Sequence, residues 1–208
     1  MSDATRPAPY VIGLTGNIAA GKSVVGQMLA GWGAQHIDAD KIAHQAMARG
    51  QPAWERVVAE FGREILSDDG EIDRKKLGGI VFADDRALAR LESLVHPAVR
   101  RRIEALIATA QTRVVVVEAI KLIESGTAAQ LCDTLWVVTA SRETQIRRLV
   151  SQRRLTRQEA ERRIDAQPPQ RLKVNQANVV IENDGTLEQL IDQVQEIWSH
   201  IDPKIAVQ

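Results

Sequence analysis

The fold is decided by the stretch Gly16-Asn17-Ile18-Ala19-Ala20-Gly21-Lys22-Ser23, which has a glycine, four further residues and then Gly-Lys-Ser. The apolar run Tyr10–Leu14 precedes it, and the amphipathic run Val24–Leu29 follows it. This order predicts a strand, a loop and a helix, which is the setting of a phosphate-binding P-loop. The alternative, a glycine-rich turn with a solvated lysine, is disfavoured by the flanking strand and helix.

The chemistry of a P-loop explains these residue types. Glycine at Gly16 and Gly21 permits backbone angles closed to other residues, so that the N–H groups of Ala19–Lys22 can point at one anion. Lys22 can reach the β- and γ-phosphates of a nucleoside triphosphate, and the Ser23 hydroxyl can bind the Mg²⁺ that bridges them. The nucleotide-binding residues predicted in this segment are Gly16, Asn17, Ile18, Ala19, Ala20, Gly21, Lys22, Ser23 and Val24.

Composition narrows the class of protein. The 208 residues contain 27 basic and 27 acidic side chains, so no net charge draws the chain to nucleic acid or to an anionic membrane. Cys132 is the single cysteine, which excludes an internal disulfide and a zinc site built on cysteine pairs. The amino-terminal residues have no apolar run of signal-peptide length, and the longest aliphatic run is Val114–Val117. We expect a cytoplasmic protein without a nucleic-acid or membrane partner, and we favour a monomer.

Apolar, β-branched runs predict four further strands, near residues 34–37, 113–118, 134–139 and 178–182. Helical patterns separate them, which implies right-handed crossovers between parallel strands. We therefore predict an α/β fold with a five-stranded, parallel, doubly wound sheet. Residues 41–110 have helical patterns and no convincing strand, so they form a helical insertion after the second strand.

Polar residues mark the expected helix ends in this chain. Asp40 is placed to cap a helix that begins near Ile42, and His96-Pro97 is expected to end a helix before another begins at Val99. Further predicted caps are Asp73, Asp84 and Ser141, with capping boxes at Thr156/Glu159 and Thr186/Gln189.

An arginine-rich segment lies late in the chain. It contains Arg147, Arg148, Arg153, Arg154, Arg157, Arg162, Arg163 and Arg171. Guanidinium groups stabilise the charge of a transferring phosphoryl group, so residues 145–175 could form a lid that buries little apolar surface. The alternative for any single arginine is a solvated helix face. We expect at least one of the eight to be functional.

Asp40 is the best candidate for a general base. It follows the strand beside the P-loop, where α/β sheets bind ligands, and a carboxylate there could accept the proton of an acceptor hydroxyl. A helix cap is the alternative for Asp40, and the two roles can coexist. Asp38 is a weaker candidate, and Glu118, at the end of the central strand, is the next choice. Thr15 either supports the site or simply ends its strand.

The remaining features favour a small-molecule kinase. The sequence lacks the Asn/Thr-Lys-x-Asp pattern of guanine recognition, an apolar strand ending in Asp-Glu and a transporter signature. Other kinases, such as a nucleoside or shikimate kinase, and a nucleotide-binding regulatory module without turnover stay open at this point. The four histidines have no metal-ligand spacing, and we expect most of them to be packing or surface residues.

Several motifs together make the chain resemble the dephospho-coenzyme A kinase family. They are Ile12-Gly13-Leu14-Thr15-Gly16, Ile37-Asp38-Ala39-Asp40, Asp73-Arg74-Lys75-Lys76-Leu77 with Val81-Phe82, His96-Pro97, Gln167 with Pro169 and Lys173, and Val180-Ile181-Glu182-Asn183-Asp184-Gly185. The resemblance spans nearly the whole chain and is far more specific than the P-loop alone.

The resemblance implies an enzyme that uses ATP and Mg²⁺ to phosphorylate the ribose 3′-hydroxyl of dephospho-coenzyme A. It implies a nucleotide-binding core formed by residues 10–40, 111–144 and 176–200, a coenzyme A domain near 41–110 and a lid near 145–175. It also implies that Asp40 is the base, that Thr15 and His96 lie on the substrate side, and that Asn183 and Gly185 lie near the adenine. Lys22 is expected to act in catalysis with a lid arginine.

Three departures from the family pattern stand out. Ile120-Lys121-Leu122-Ile123-Glu124 replaces Pro-Leu-Leu-Phe-Glu, so that Lys121 stands where an apolar residue is usual. The usual lid arginine aligns with Gln152, which leaves Arg153 and Arg148 as alternatives for its role. Asn17 and Ala19-Ala20 replace the commoner Gly and Gly-Ser within the loop.

Overall fold

The structure is a computed structural model in which residues 8–123 and 129–201 are described. These residues divide into two compact units. The core unit contains the described residues up to Ile37 and from Leu106 onward, and the inserted unit is Asp38–Ala105. Each unit is described separately below. The functional boundaries near 41–110 and 145–175 stay predictions.

The strands form one five-stranded sheet in the order β2-β3-β1-β4-β5. Their bounds are β1 (Tyr10–Thr15), β2 (Gln35–Asp38), β3 (Val114–Glu118), β4 (Thr134–Thr139) and β5 (Val179–Glu182). The central strand β1 pairs in parallel with β3, where Ile12 lies opposite Val116, and with β4, where Leu14 lies opposite Trp136. The predicted five-stranded parallel sheet is therefore confirmed.

The helices follow in chain order, with two short 3₁₀ turns at Arg63–Ile65 and Ala129–Leu131. They are α1 (Lys22–Gly31), α2 (Ala39–Ala46), α3 (Pro52–Phe61), α4 (Arg74–Val81), α5 (Asp85–Ala108), α6 (Arg142–Arg153), α7 (Arg157–Asp165), α8 (Arg171–Val174) and α9 (Leu187–Ser199). The predicted caps of α4, α6, α7 and α9 are confirmed, including both capping boxes. No helix among these described residues is both long and apolar enough to cross a membrane.

The hydrophobic core of the core unit lies between the sheet and the helices α1 and α9. Alternate strand residues such as Ile12, Leu14 and Trp136 are buried against Leu29 of α1 and Val194 of α9. Alternation follows because successive side chains on a strand point to opposite faces of the sheet. Burying each large aliphatic side chain stabilises the fold by about 1.5–3 kcal/mol, so this layer fixes the sheet that carries the P-loop.

The inserted unit is helical, as predicted, with a core of its own. Val57, Ile65, Leu77, Val81 and Val95 form this core, and the described residues of the unit add only an isolated bridge between residues 66 and 72. Aliphatic side chains at helical spacing produce it without help from a sheet.

Two predictions about helix ends in the inserted unit were wrong. His96-Pro97 does not end a helix, because Pro97 lies inside the continuous helix α5. Proline removes one backbone hydrogen bond, but burial of Val95 before it and Ile103 after it keeps the helix in one piece. Asp40 does not cap α2, because Asp38 is the N-cap and its carboxylate accepts from the N–H of Lys41 at 2.9 Å.

The expectation that the arginine-rich segment buries little apolar surface was also wrong. Ile146 and Leu149 of α6 and Ala160 and Ile164 of α7 form a small buried cluster, against which Ile18 of the P-loop packs. Charged residues dominate both helices, so the four apolar positions at helical spacing are easily overlooked. The segment is therefore anchored to the P-loop by packing as well as by polar contacts.

Candidate active site

The backbone of the P-loop has an unusual geometry at two residues. Gly21 has a φ of 103° and Ala19 a φ of 58°, so both lie in the left-handed region. Glycine adopts this region freely, whereas alanine does so at a cost. Gly16 is not in the left-handed region, so the prediction that its backbone angles require glycine was wrong. Instead, a Cβ at Gly16 would lie 2.5 Å from the carbonyl oxygen of Val138. Gly16 is required by the close approach of β4, and Gly21 by its dihedral angle.

The amide groups of this loop are largely unpaired. Ile18 donates its N–H to Oε1 of Gln167 at 2.7 Å, and Ala20 donates to the carbonyl of Asn17 at 3.1 Å. Within the described part of the chain, no acceptor is found for the N–H groups of Ala19, Gly21, Lys22 and Ser23. Because the positive end of the α1 dipole lies at the same place, these four donors have the arrangement that binding of an anion requires.

A cavity of about 410 Å³ opens over the loop in the core unit. Its walls come from the loop, from the end of β3, from α6 and from the segment around β5 and α9. The residues that line it are Asn17, Ile18, Ala19, Gly21, Lys22, Ser23, Val24, Ile120, Arg148, Gln152, Arg153, Asn183, Gly185, Leu187 and Leu190. Nearly all of the predicted nucleotide-binding residues thus lie around one cavity. The exceptions are Gly16 and Ala20, which are buried and do not line it.

Glu118 ends β3 beside the loop and accepts three hydrogen bonds. Its Oε1 accepts from the hydroxyl of Ser23 at 2.6 Å and from Nζ of Lys22 at 3.0 Å, while its Oε2 lies 2.8 Å from Nε2 of His36. Burial of the Glu118 carboxyl favours a raised pKa, but the bonds from His36, Ser23 and Lys22 outweigh burial and lower the pKa to about 2. Glu118 is therefore a carboxylate at neutral pH.

The pair Ser23 and Glu118 has the chemistry that a magnesium ion requires. Both offer oxygen donors, and Mg²⁺ in kinases is bound by one or two such groups together with substrate phosphates. The described residues contain no group of three or more histidine, cysteine, aspartate or glutamate side chains that would form a dedicated metal cage. The donor set therefore fits Mg²⁺ that arrives with a nucleotide.

The two lid arginine candidates differ in their surroundings. Arg148 donates from Nη1 to the carbonyls of Ala19 and Ala20 at 3.1 and 3.2 Å, and from Nη2 to O and Oδ1 of Asn183 at 2.8 and 3.0 Å. Burial lowers the pKa of Arg148. Arg153 also lines the cavity, but its side chain makes no hydrogen bond or ion pair to any residue in the ranges 8–123 and 129–201.

Three supporting contacts were not predicted from the sequence. Gln145 of α6 donates to the carbonyl of Ile18 at 2.9 Å, and Asn17 donates from Nδ2 to the carbonyl of Pro168 at 3.1 Å. His36, which we expected to be a packing or surface residue, contacts Glu118. Gln167 was noted only through the family resemblance, and nothing local in the sequence marks Gln145 or His36.

The segment Asn183-Asp184-Gly185 connects the cavity to two helices. Asn183 donates from Nδ2 to the carbonyl of Ala20 at 2.8 Å. The carboxylate of Asp184 accepts from the N–H of Ser141 at 2.9 Å and from its hydroxyl at 2.8 Å, at the start of α6. A Cβ at Gly185 would lie 2.1 Å from Oε1 of Gln189, the atom that accepts from the N–H of Thr186 in the capping box of α9. These contacts hold the segment at the rim of the cavity.

The residues predicted for the acceptor side lie elsewhere. Thr15 is fully buried, donates its hydroxyl to the carbonyl of Ile120 at 3.1 Å and does not line the cavity. Asp40 is half-buried in the first turn of α2, and His96 is half-buried within α5, both in the inserted unit. Lys121 is exposed, and Glu124 lies outside the described residues.

Comparison with known proteins identifies the family. The family model described as CoaE, dephospho-CoA kinase, matches residues 10–189. A dephospho-CoA kinase of Geobacter sulfurreducens is 46% identical over 192 residues, which are 91% of this chain and 97% of that protein. The crystal structure of TT1252 from Thermus thermophilus superposes with a TM-score of 0.80 at 32% identity and covers 94% of this chain and 99% of its own. A dephospho-CoA kinase structure from Campylobacter jejuni has a TM-score of 0.67 at 27% identity, with 92% and 96% of the chains covered. The chain belongs to the dephospho-CoA kinase family.

Proposed function

We propose that this protein transfers the γ-phosphoryl group of ATP to the ribose 3′-hydroxyl of dephospho-coenzyme A, giving coenzyme A and ADP. Family membership supports the choice of reaction. The observation that supports the nucleotide-binding half is a set of four N–H groups, those of Ala19, Gly21, Lys22 and Ser23, which have no acceptor among the described residues and belong to residues that line one cavity. Glu118 lies next to them and accepts hydrogen bonds from Lys22 and Ser23. Several N–H donors that point into one cavity at a helix N-terminus are well placed to bind the phosphates of a nucleotide.

The triphosphate binds along the P-loop in this proposal. The N–H groups of Ala19, Gly21, Lys22 and Ser23 donate to phosphate oxygens, and Lys22 exchanges its partner Glu118 for the β- and γ-phosphates. Asn183 and Gly185 line the same cavity, and we assign this side to the adenine.

Ser23 and Glu118 would hold the Mg²⁺ that accompanies ATP. An ion held by these two side chains would neutralise charge that develops on the phosphates during transfer. The contribution of the protein is a hydroxyl and a carboxylate already held 2.6 Å apart, so little reorganisation is needed when the ion arrives.

Arg153 is the better candidate for the arginine that meets the transferring phosphoryl group. Arg153 lines the cavity, and its guanidinium has no protein partner among the described residues, so a ligand can bind it without breaking a hydrogen bond. Arg148 already donates four hydrogen bonds, two to the loop and two to Asn183. We propose that Arg148 keeps the phosphate-binding loop in shape and that Arg153 supplies charge.

The acceptor hydroxyl is proposed to lose its proton to Asp40. Asp38 satisfies the N-terminus of α2, so capping is no longer an alternative explanation for Asp40. As the ribose oxygen bonds to the γ-phosphorus, the bond from that phosphorus to the β-bridging oxygen breaks, and the proton passes to the carboxylate.

Thr15 and His96 are proposed to lie on the substrate side. The helical region near 41–110 would bind the coenzyme A portion, with residues 145–175 as the lid over the core of 10–40, 111–144 and 176–200.

A product assay tests the proposal. Purified protein with ATP, Mg²⁺ and a panel of acceptors should convert dephospho-coenzyme A to coenzyme A, measured by chromatography with mass detection. Preference for a nucleoside or shikimate would indicate another kinase, and ATP binding without phosphorylation of any acceptor would indicate a regulatory module. Lys22→Ala, purified identically, should lose nearly all turnover while remaining folded, which excludes a contaminating kinase.

A further inference from the structure

The two oxygens of the Glu118 carboxylate have separate partners. Oε1 accepts both bonds from the P-loop, from Ser23 and Lys22, whereas Oε2 lies 2.8 Å from Nε2 of His36. A carboxylate only accepts, so Nε2 of His36 carries the hydrogen and donates it. The Glu118 side chain is 4% exposed and that of His36 is 22% exposed, so water contributes little to this contact.

The contact constrains the rotation of the carboxylate. The last torsion of a glutamate side chain is soft, and the carboxylate turns unless both oxygens are held. Among the residues that the structure describes, His36 provides the one hydrogen bond to Oε2. Without that bond, Oε2 would be a buried acceptor with no donor, and only the two bonds at Oε1 would orient the carboxylate.

The helix α1 leaves space for this contact. Gly26 lies inside α1, and a Cβ there would lie 2.8 Å from Nε2 of His36 and 3.1 Å from Oε2 of Glu118. Glycine in a helix interior is less favourable than alanine by about 1 kcal/mol, so a glycine at this position implies a packing contact that alanine would disturb. The observed contact is that of the imidazole with the carboxylate, for which glycine leaves room.

We infer that His36 is a positioning residue for the magnesium-nucleotide end of the site. It holds Oε2 of Glu118 so that Oε1 faces Ser23 and Lys22, which keeps the hydroxyl and the carboxylate arranged for a divalent cation. This inference rests on the proposed function. His36 touches neither the nucleotide nor the acceptor in this account and acts only through Glu118. Its loss should weaken binding of Mg²⁺ with ATP and leave the KM for dephospho-coenzyme A unchanged.

Two substitutions separate positioning from packing. His36→Leu has a similar volume and no donor, whereas His36→Gln keeps an N–H near the position of Nε2. Binding of a non-hydrolysable ATP analogue is measured by calorimetry with and without Mg²⁺, without any acceptor. Removing a partner that orients a metal-binding group typically weakens metal affinity by about 10- to 100-fold. We expect the Mg²⁺-dependent gain in affinity to fall by about tenfold or more in His36→Leu and to stay near wild type in His36→Gln.

The outcomes are distinct. A His36→Leu protein with the Mg²⁺ dependence of wild type overturns the inference, and so does a folded His36→Gln protein that is as impaired as His36→Leu. If His36→Leu does not fold, His36→Asn replaces it, because its shorter side chain carries a donor that cannot reach Oε2. If the wild-type protein shows no Mg²⁺-dependent nucleotide binding, the proposed function itself fails, and the role of His36 fails with it.

Discussion

Replacing Gly26 with alanine should destabilise the protein, although alanine is the better helix former. Gly26 lies in α1, and the new Cβ would lie 2.8 Å from Nε2 of His36. The imidazole must then move, which breaks its 2.8 Å contact with Oε2 of Glu118. The same Cβ would lie 3.1 Å from Oε2 of Glu118, a smaller overlap that a slight turn of the carboxylate relieves, so the displacement of the imidazole is the larger effect.

The magnitude follows from two opposing contributions. Alanine in place of glycine stabilises a helix interior by about 1 kcal/mol. A hydrogen bond to a charged group contributes about 1.5–3 kcal/mol, and this one is largely shielded from water. The net expectation is a loss of about 0.5–2 kcal/mol, which lowers the melting temperature of a chain of this size by about 1–8 °C.

Gly31 offers a matched control at the end of the same helix. A Cβ at Gly31 would meet no atom within 4 Å. Gly31→Ala should therefore leave stability unchanged or raise it by up to about 1 kcal/mol. Unfolding in urea, followed by circular dichroism, gives the free energy of unfolding for both variants and for wild type at the same pH.

A double substitution tests the mechanism. In a His36→Ala background the imidazole is gone, so Gly26→Ala should no longer be destabilising and should recover most of the helix-propensity gain. The reasoning is refuted if Gly26→Ala stabilises the wild-type protein as much as Gly31→Ala does. It is also refuted if its cost is the same with and without the His36 ring, because the steric contact would then be irrelevant.

Three further expectations concern residues of the proposed site. Asp40→Asn should lower kcat by about 10²- to 10⁴-fold. The free energy of unfolding should change by less than about 1 kcal/mol, since the cap of α2 is Asp38. A rate within a few-fold of wild type would rule out Asp40 as the base. Arg153→Ala should lower kcat without changing the melting temperature. Arg148→Ala should lower the melting temperature, because four hydrogen bonds are lost. Thermal melts and rate assays on both variants check this, and the opposite pattern would exchange the two proposed roles. Hydrogen bonds from Thr144 and Ser141 hold the pKa of Asp184 below its ordinary value, so the carboxylate stabilises the fold above that value, about pH 4, and the stabilisation is lost as the pH falls. Asp184→Asn should therefore be less stable than wild type at pH 7, and in denaturant titrations the difference should shrink as the pH falls below about 4. A difference that stays constant as the pH falls would contradict the assignment.

Local patterns in the sequence determined most of the fold. The strand β4 was predicted with its observed bounds, and the capping boxes that begin α7 and α9 were found at Thr156 and Thr186. These features depend on residues a few positions apart, so their signal is contained in short windows of sequence. The P-loop belongs to the same class, because its eight residues are contiguous and carry their own turn chemistry.

Local patterns failed where packing overrides them. Pro97 indicated a helix end, but burial on both sides of it keeps α5 continuous. Asp38 and Asp40 are equally good caps by type, and only the point where β2 gives way to α2 decides between them. The charged sequence of α6 and α7 concealed four apolar residues whose burial becomes evident only when the two helices pack together.

The sequence predicted some of the residues of the candidate site but not all of the contacts between them. The loop residues and Asn183 could be assigned by motif, and the cavity that they line supports that grouping without testing their roles. The contact of His36 with Glu118 joins residues 82 positions apart. It depends on β2 lying beside β3 in the strand order, which no local pattern specifies. Residue types and turns were therefore determined by the sequence alone, whereas the partners of Glu118 were decided by the tertiary structure, because only the completed sheet brings separate strand ends together.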